Sequence, residues 1–326
     1  MRGKNKILIT GAAGFIGSFA SKYYSNLGYE VMGIDSLNSY YNVDLKNSRL
    51  NELLELTNFT FNQVDMIQLD KLGELFNSFK PNLVVHLAAQ AGVRHSLVDP
   101  NSYLESNIIS FYNLLECLKN SSVEKFIFAS SSSVYGNSMD VPYTESVKTN
   151  RPVSLYAATK KSNEVLAHSF AFNNNIPTIG LRFFTVYGPK GRPDMAYFKF
   201  ADLISSQKKI IVYNKGEMSR DMTYIDDIIQ GLSKAVSFEN FTNDIPFEIF
   251  NLGNNSPVST WELVRYIEKY FNTKADYSFE DSSIEVKETW ANINKSKKLL
   301  EFKPFTTFSD GMNNFLDWFS AYKNIK

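Results

Sequence analysis

Short apolar segments recur along the first half of the chain, at residues 6–10, 29–35, 82–89, 123–129 and 176–183, and residues 59–65 alternate between apolar and polar. Uninterrupted runs of this length are typical of parallel strands covered on both faces. Between them, residues 69–79, 103–118 and 155–172 carry apolar side chains at intervals of three and four, which predicts helices, whereas the polar segment 36–51 predicts a loop with some helix. The alternation predicts an α/β fold with a doubly wound parallel sheet.

Three glycines, Gly11, Gly14 and Gly17, follow the first apolar run at intervals of three residues. Glycine permits a sharp turn and lets a ligand approach the backbone, and the unpaired N–H groups of the helix that follows attract phosphate. The second run ends in Asp35, whose carboxylate could accept hydrogen bonds from ribose hydroxyls and would repel a 2′-phosphate. The pattern predicts an NAD site, and the alternative is a plain strand–helix–strand unit with a capping aspartate.

The alternation ends near residue 184, where a turn-rich segment at 187–193 precedes a predicted helix at 195–206 and then shorter elements. We expect residues 1–184 to form an NAD-binding Rossmann domain and residues 185–326 to form mainly a smaller α/β substrate lobe. Segments at about 225–253 are expected to return to the first domain. Because open α/β sheets bind ligands outside the carboxyl ends of their strands, we expect the lobe to lie at that edge.

The composition narrows the class of protein. Lys plus Arg and Asp plus Glu both number 34 among 326 residues, so the net charge is zero, which argues against nucleic acid or an anionic membrane as main partner. The single Cys117 excludes an internal disulfide, and three histidines without ligand spacing predict no metal site. Because no apolar run is long enough to cross a bilayer, we expect a soluble cytoplasmic protein.

Tyr156 and Lys160 open the second long predicted helix, four residues apart and therefore on one helical face. A free phenol, with a pKa of about 10, is a poor base at neutral pH, but a nearby ammonium group favours the phenolate. Such a tyrosine can take the proton of a substrate hydroxyl as hydride leaves the same carbon. Tyr270 and Lys274 share the spacing, so a surface helix pair is the alternative; only Tyr156 follows a strand that ends in serines, at 130–133.

Together the glycine turn, Asp35, the serine-rich strand end and the Tyr156–Lys160 pair resemble the extended short-chain dehydrogenase/reductase superfamily over nearly the whole chain. Within it, residues 86–94, 181–189 and 191–196 are similar to UDP-glucuronate 4-epimerases, and residues 220–227 and 251–253 resemble the same nucleotide-sugar family. The resemblance implies a Rossmann fold, NAD as cofactor and a nucleotide-sugar substrate.

The resemblance also implies roles for individual residues. Ser131 is expected to hydrogen-bond the reacting sugar hydroxyl beside Tyr156, and Lys160 to hold the nicotinamide ribose. The implied NAD site consists of Gly11, Gly14, Phe15, Ile16, Gly17, Asp35, Asp65, Met66, Ala88, Ala89, Gln90, Asn107, Tyr156, Lys160 and Phe183. The implied substrate site consists of Arg94, Ser132, Ser133, Thr185, Arg192, Phe198, Tyr213 and Arg220.

Within the implied substrate site, Thr185 and Arg192 lie where the subgroup recognises the uronic carboxylate, which a guanidinium can bind with two parallel hydrogen bonds. Arg220 is expected to bind the diphosphate and Tyr213 to lie against the uracil. The alternatives are structural: a loop salt bridge for Arg192, a turn contact beside Asp221 for Arg220, and strand-end capping for the serines.

No acidic residue stands between the serines and Val134, where dehydratases and decarboxylases of the superfamily carry one. Its absence favours oxidation and reduction at a single carbon. We therefore predict NAD-dependent C4 epimerisation of a UDP-sugar, foremost UDP-glucuronate to UDP-galacturonate, and hence an isomerase. Another UDP-hexose, N-acetylhexosamine or uronate as substrate, a nucleotide-sugar dehydrogenase or decarboxylase, and a non-enzymatic NAD sensor are the alternatives.

Comparison with the subgroup leads to further expectations. Lys190 stands where an aromatic side chain is usual, and residues 282–285 replace a Pro-Gly-Asp turn, which leaves the diphosphate contacts of that turn and the exact sugar open. Helices 103–118 and 155–172 carry more apolar residues than one face requires, and related proteins pair them as a four-helix bundle, so we expect a homodimer.

Overall fold

The computed structural model describes residues 5–241, 244–282 and 286–325. The chain divides into two compact units, the first formed by Met1–Gly136, Lys148–Arg182 and Leu232–Phe250 and the second by Asn137–Val147, Phe183–Gly231 and Asn251–Lys326. Residues 137–147 fall in the second unit, although they lie within the range expected for the NAD-binding domain. The chain returns to the first unit at 148–182 and again at 232–250.

The strands are β1 (Lys6–Thr10), β2 (Glu30–Asp35), β3 (Phe59–Gln63), β4 (Leu83–His86), β5 (Lys125–Ser131), β6 (Thr178–Phe183), β7 (Thr185–Tyr187), β8 (Ile210–Tyr213), β9 (Ser219–Tyr224), β10 (Phe247–Leu252), β11 (Pro257–Ser259), β12 (Tyr277–Glu280) and β13 (Glu288–Thr289). A seven-stranded sheet has the order β10-β6-β5-β4-β1-β2-β3. Each neighbouring pair within β5-β4-β1-β2-β3 is parallel. The predicted α/β fold with a parallel sheet is confirmed. The strand order reverses between β1 and β4, whose carboxyl ends flank the crevice where such sheets bind ligands.

The helices are α1 (Phe15–Asn26), α2 (Val43–Leu54), α3 (Leu69–Phe79), α4 (His95–Val98), α5 (Pro100–Tyr103), α6 (Ser110–Lys119), α7 (Leu155–Asn174), α8 (Ala196–Ser205), α9 (Ile225–Val236), α10 (Thr260–Phe271), α11 (Asn294–Leu299) and α12 (Phe308–Lys323). Short 3₁₀ helices lie at Ser132–Tyr135 and Asn214–Gly216, and a π-helical stretch at Leu104–Ile109. Within the described ranges, no helix is both long and apolar enough to cross a membrane.

The core of the first unit forms where the sheet meets its covering helices. Helix α3 shows the cause, because Leu72, Phe76 and Phe79, spaced by four and three residues, are all buried. Burying each such side chain is worth about 1.5–3 kcal/mol. The core also contains Leu8, Met32, Val84, Phe111, Leu114, Phe126, Phe128 and Phe170. This packing holds the strand ends at fixed positions.

The polar segment at 36–51 contains more helix than predicted. Helix α2 begins at Val43 because the Asn42 side chain accepts a hydrogen bond from the Asp44 N–H at 2.7 Å. It then buries Leu45 and Leu50. The apolar positions of this helix are too few to mark it in the sequence.

The helix predicted at 103–118 is divided into three segments, because the π-helical stretch lies between α5 and α6. π-Helical stretches often occur at functional sites, and this one contains Asn107. The neighbouring strand β5 ends two residues later than predicted, at Ser131. Two of the four serines therefore belong to the strand and two to the 3₁₀ helix that follows it.

The second unit has a small sheet centred on β9, which pairs in parallel with β7 and β13 and antiparallel with β11. Strands β8 and β12 form a separate parallel pair. The core of the second unit is aromatic, with ring centroids 4.8–6.1 Å apart among Tyr187, Tyr197, Phe198, Phe315 and Phe319.

Candidate active site

The turn after β1 contains glycines that approach neighbouring backbone closely. Gly11 has a φ of +72°, and a Cβ there would lie 2.8 Å from the Ala88 nitrogen. A Cβ on Gly17 would lie 2.0 Å from the Gly11 carbonyl oxygen. Both positions therefore require glycine. Helix α1 begins at Phe15 without a side-chain cap, so its first N–H groups are available to an anion, and the turn fits a pyrophosphate.

Asp35 ends β2 beside this turn. Its Oδ2 accepts from the Ala13 N–H at 3.1 Å and its Oδ1 from the Leu37 N–H at 2.9 Å. A carboxylate oxygen has two lone pairs, so these bonds fix the side chain without exhausting its capacity to accept from ribose hydroxyls. The arrangement fits NAD and supports the role predicted for Asp35.

The other predicted NAD residues differ in exposure. Gly11, Gly14, Ile16, Ala88 and Ala89 are partly exposed, whereas Phe15, Gly17, Met66, Gln90 and Phe183 are buried. Asp65 is exposed, and its Oδ1 accepts from the Ile67 N–H at 3.1 Å. The Met66 carbonyl accepts from Asn113 Nδ2 at 3.0 Å, which fixes the segment after β3.

Thr10 and His86, register partners in β1 and β4, connect the glycine turn to the loop after β4. Thr10 Oγ1 accepts from the N–H groups of Leu87 and Ala88 at 3.1 Å each and lies 2.8 Å from His86 Nδ1. Because both hydroxyl lone pairs are used, the O–H donates to Nδ1, and His86 is neutral with its proton on Nε2. Burial, assisted by the charge of Lys160, lowers the pKa of His86 to about 3. No separate role was predicted for His86, because a contact between the ends of two strands leaves no pattern of spacing in the sequence.

This histidine predicts a pH dependence of stability. With a pKa of about 3 in the folded chain and 6.5 as the ordinary value, the unfolded chain binds the proton first as the pH falls. The free energy of unfolding therefore decreases with falling pH below about 6.5, by about 1.4 kcal/mol per pH unit from this group. The free energy of unfolding can be measured by urea unfolding at several pH values for the wild type and for His86→Asn, which keeps an acceptor but does not titrate. Its dependence on pH should have a shallower slope in the variant. Equal slopes between about pH 5 and about pH 6.5 would contradict this assignment.

Tyr156 lies in the first turn of α7. The hydroxyl of Ser154 accepts from the Ala157 N–H at 3.1 Å and so starts the helix at this point. The phenol is half-buried, and its ring packs edge-on against Tyr103 with centroids 6.1 Å apart. The helix start and the aromatic contact together hold the Tyr156 ring in place.

Lys160 lies one turn further on the same face of α7 and is 2% exposed. Its Nζ donates to the Ala129 carbonyl on β5 at 2.9 Å, which ties the helix to the strand that ends at Ser131. Desolvation lowers the pKa of Lys160 to about 8. The ammonium form therefore predominates at neutral pH and loses its proton only slightly above it.

Ser131 is 8% exposed, and its Oγ accepts from the Ser133 N–H at 3.2 Å. This contact is the strand-end capping that was the alternative to a catalytic role. It uses a lone pair of the hydroxyl and not its proton, so Ser131 can still donate to a substrate oxygen. Ser132 and Ser133 are half-buried in the 3₁₀ helix that this cap begins.

Asn107 connects the π-helical stretch to its neighbours. Its side chain accepts from the Gln90 N–H at 2.8 Å and donates to the Gln90 carbonyl and to Thr159 Oγ1, both at 3.0 Å. Asn163 Nδ2 donates to the Asn107 carbonyl at 2.6 Å. These bonds join α7 to the loop after β4, so Asn107, which was predicted as part of the NAD site, orders the segments around it.

In the second unit, Arg192 forms a bidentate ion pair with Asp194, with Nε–Oδ1 at 3.0 Å and Nη2–Oδ2 at 2.5 Å. The loop salt bridge considered as an alternative is thus present. The guanidinium geometry is nevertheless the one that binds a carboxylate with two bonds. The pairing of Asp194 with Arg192 was not predicted from the sequence.

Arg220 is half-buried on β9, with Nη1 donating to the Ser219 carbonyl at 2.9 Å. The carboxylate of the buried Asp221 accepts from the N–H groups of Asn254 at 2.6 Å and Asn255 at 2.9 Å, and of Ala291. These bonds hold the loop after β10 against β9, so Asp221 stabilises the strand that carries Arg220.

The remaining predicted substrate residues have mixed surroundings. Thr185 on β7, Tyr213 at the end of β8 and Arg94 before α4 are half-buried. Phe198 is 4% exposed and its ring contacts Phe315, Trp318 and Phe319, which favours packing in the core over substrate binding. Lys190 adopts a φ of +58°, and residues 283–285 of the departure near the C-terminus lie outside the described residues.

The parallel sheet, the glycine turn and the Tyr156–Lys160 pair define a dinucleotide-dependent enzyme of the short-chain dehydrogenase/reductase type. Residues 7–253 match the model of the NAD dependent epimerase/dehydratase family. The chain belongs to this family, whose cofactor is NAD. Among the described residues, no group of three or more His, Cys, Asp or Glu side chains could hold a metal ion.

Comparison with individual proteins agrees with this assignment. The chain is 46% identical to protein CapI of Staphylococcus aureus, over 97% of this chain and 99% of the relative. It is 39% identical to a UDP-glucuronate 4-epimerase of Thermodesulfobacterium geofontis, over 95% of each. The crystal structure of UDP-glucuronic acid 4-epimerase from Bacillus cereus, in complex with UDP-glucuronic acid and NAD, matches with a TM-score of 0.90 and 36% identity over 97% of this chain and 99% of the other.

Proposed function

We propose that this protein is an NAD-dependent UDP-sugar 4-epimerase that interconverts UDP-glucuronate and UDP-galacturonate. The observation that carries the proposal is the position of Tyr156 and the buried Lys160 on one face of α7, with Lys160 bonded to the strand that ends at Ser131. The relatives named UDP-glucuronate 4-epimerase and the Bacillus cereus complex support the choice of substrate.

In the proposed reaction Tyr156, as the phenolate, takes the proton of the sugar 4-hydroxyl. Lys160 favours the phenolate through its charge, and Ser131 donates a hydrogen bond to the same sugar oxygen. NAD, when bound, accepts the hydride from C4 and later returns it. The 4-keto sugar rotates before the hydride returns to the opposite face of C4. Tyr156 then gives the proton back to the oxygen, so C4 is inverted with no net oxidation.

A uronic substrate adds a requirement, because a 4-keto acid can lose carbon dioxide when the bond to the carboxylate aligns with the carbonyl π system. Arg192 can prevent that alignment by holding the carboxylate with two parallel hydrogen bonds. In the structure Asp194 occupies those donors. We therefore infer that the substrate carboxylate exchanges with Asp194 on Arg192.

The proposal is tested by incubating the purified protein with UDP-glucuronate, UDP-glucose and UDP-N-acetylglucosamine and resolving the products by NMR. We expect UDP-galacturonate from the first substrate, without added NAD and without loss of carbon dioxide. Conversion of another sugar with higher kcat/KM would reassign the substrate. Accumulation of a pentose product would indicate a decarboxylase.

Arg192→Gln should lower kcat/KM for UDP-glucuronate roughly 10- to 100-fold, because hydrogen bonds to charged groups contribute about 1.5–3 kcal/mol. Activity on neutral UDP-glucose should change much less, since that sugar has no carboxylate. Steady-state kinetics on both sugars measures the difference. Arg265→Gln, an exposed arginine of the same unit, is the matched control. An equal loss on both sugars would remove Arg192 from carboxylate recognition.

We also propose that the protein is a homodimer. Leu104, Ile109, Tyr112, Val165 and Phe172, on α7 and on the segment from the π-helical stretch into α6, are 45–66% exposed. Large apolar side chains exposed on neighbouring helices are typical of an interface between subunits. Light scattering should give about twice the mass of the chain, and the mass of a single chain would refute the dimer.

A further inference from the structure

Glu164 on α7 and Arg182 on β6 form a buried ion pair that the proposed reaction does not use directly. Glu164 is 3% exposed and Arg182 4% exposed. Arg182 Nε lies 2.8 Å from Glu164 Oε1 and Nη2 lies 2.9 Å from Oε2, so the pair is bidentate. Burial alone would raise the pKa of Glu164, but hydrogen bonds and charge from Arg182, with a hydrogen bond from Ser130, keep it below its usual value. The carboxylate is therefore ionised at neutral pH.

The ion pair is hydrogen-bonded to residues that come before and after Ser131–Ser133, the serines predicted to face the substrate. Before them, Ser130 Oγ donates to Glu164 Oε1 at 2.7 Å. After them, Arg182 Nη1 donates to Tyr135 Oη at 2.9 Å, and the guanidinium lies 4.8 Å from the centroid of that ring. Ser131 and the 3₁₀ helix that it caps are thus held at two points.

Glu164 also lies on the stripe of α7 that carries the catalytic pair, one turn after Lys160 and two turns after Tyr156. Arg182 is near the end of β6. One ion pair therefore joins the end of β5, the 3₁₀ helix, α7 and β6. These are the elements that bring Ser131 and Tyr156 into the same unit.

We propose that Glu164 and Arg182 are positioning residues, which fix Ser131 relative to Tyr156 without touching the substrate. A buried ion pair is seldom needed for stability, since apolar residues of similar volume often replace it without loss. Catalysis, by contrast, requires groups held to within about 0.5 Å, and a misplacement of 1 Å can cost roughly 10²-fold in rate. The inference rests on the proposed function for its assay.

The test is the double variant Glu164→Leu/Arg182→Met, which removes both buried charges together. Lys161, whose Nζ lies 3.1 Å from Glu164 Oε2, also loses a partner, but its side chain is 31% exposed and can be solvated by water. We expect kcat to fall about 10²-fold, KM to stay within about threefold, and the midpoint of thermal unfolding to stay at or above that of wild type. A purely structural role would lower the unfolding midpoint and leave kcat unchanged. A folded double variant with wild-type kcat would overturn the proposal.

Ser130→Ala provides a second measurement if the double variant does not fold, because it removes a single hydrogen bond, the one that the Ser130 hydroxyl donates to the Glu164 carboxylate. We expect kcat to fall about 10-fold with KM unchanged. Ser296→Ala, which removes an equally buried hydroxyl bonded to the Asn251 carbonyl in the second unit, is the control. Wild-type kcat in Ser130→Ala would contradict the proposal. Absence of turnover in the wild-type protein would instead refute the proposed function.

Discussion

Replacing Tyr156 with phenylalanine is expected to lower kcat at least about 10³-fold and to leave the fold unchanged. General acid–base catalysis by a placed side chain contributes about 10²–10⁴-fold, and the proposed reaction uses the Tyr156 phenol twice, to remove the proton from the sugar oxygen and to return it. The ring itself, which packs edge-on against Tyr103, is retained in phenylalanine. NMR of the sugar products gives the rate, and circular dichroism checks the fold.

The matched control is Tyr270→Phe. Tyr270 and Lys274 have the same spacing in sequence, but Tyr270 Oη donates to Asp317 on the surface of the second unit, and the Lys274 side chain is 91% exposed. We expect kcat of this control to stay within about twofold of wild type. Near-normal turnover by Tyr156→Phe would refute the assignment of the base and, with it, the proposed mechanism.

The parts of the fold that could be predicted are those governed by local patterns. Helix α3 was predicted with its observed ends, because its buried residues follow the helical period without interruption. The π-helical stretch was not predicted, since the bonds that Asn107 makes to Gln90 and Thr159 join residues far apart in the chain.

In the candidate site, too, local patterns could be predicted and contacts between distant residues could not. Gly11 and Asp35 were predicted because the residue type itself carries the chemistry at a fixed spacing. The bonds that Thr10 donates to His86 and that Arg182 donates to Glu164 were not predicted, since each joins different elements of the sheet and its helices. Asp194 was missed for another reason: it lies two residues from Arg192, and short-range pairing of charges in a loop is common in any sequence.

Replacing Lys160 with methionine should lower the activity without lowering the stability of the fold at neutral pH. We expect kcat to fall about 10³-fold, because Tyr156 loses the ammonium group that favours its phenolate. For the same reason the acid limb of the kcat–pH profile should move to higher pH. The pH profile is the informative measurement, since a merely structural defect would not move it.

The same substitution should not destabilise the protein at neutral pH. The folded-state pKa of Lys160 is about 8 against 10.5 as the ordinary value, so below about pH 8 burial of the charge costs about 3 kcal/mol. Methionine removes that cost and loses only the bond to Ala129, worth about 1.5–3 kcal/mol for a charged donor. Wild-type stability should rise as the pH increases from about 8 to about 10.5, where only the unfolded chain still binds the proton, and the variant should lack that rise.

Lys125→Met is the control for the kcat measurement and for the stability measurement. Lys125 also lies on β5 and donates to two backbone carbonyls, those of Val236 at 2.8 Å and Phe238 at 2.6 Å, and burial lowers its pKa as well. Its side chain begins at the opposite end of the strand from Ser131, so its loss should affect stability and leave kcat within about twofold of wild type. If Lys125→Met and Lys160→Met lowered kcat equally, the ammonium of Lys160 would have no specific part in the reaction.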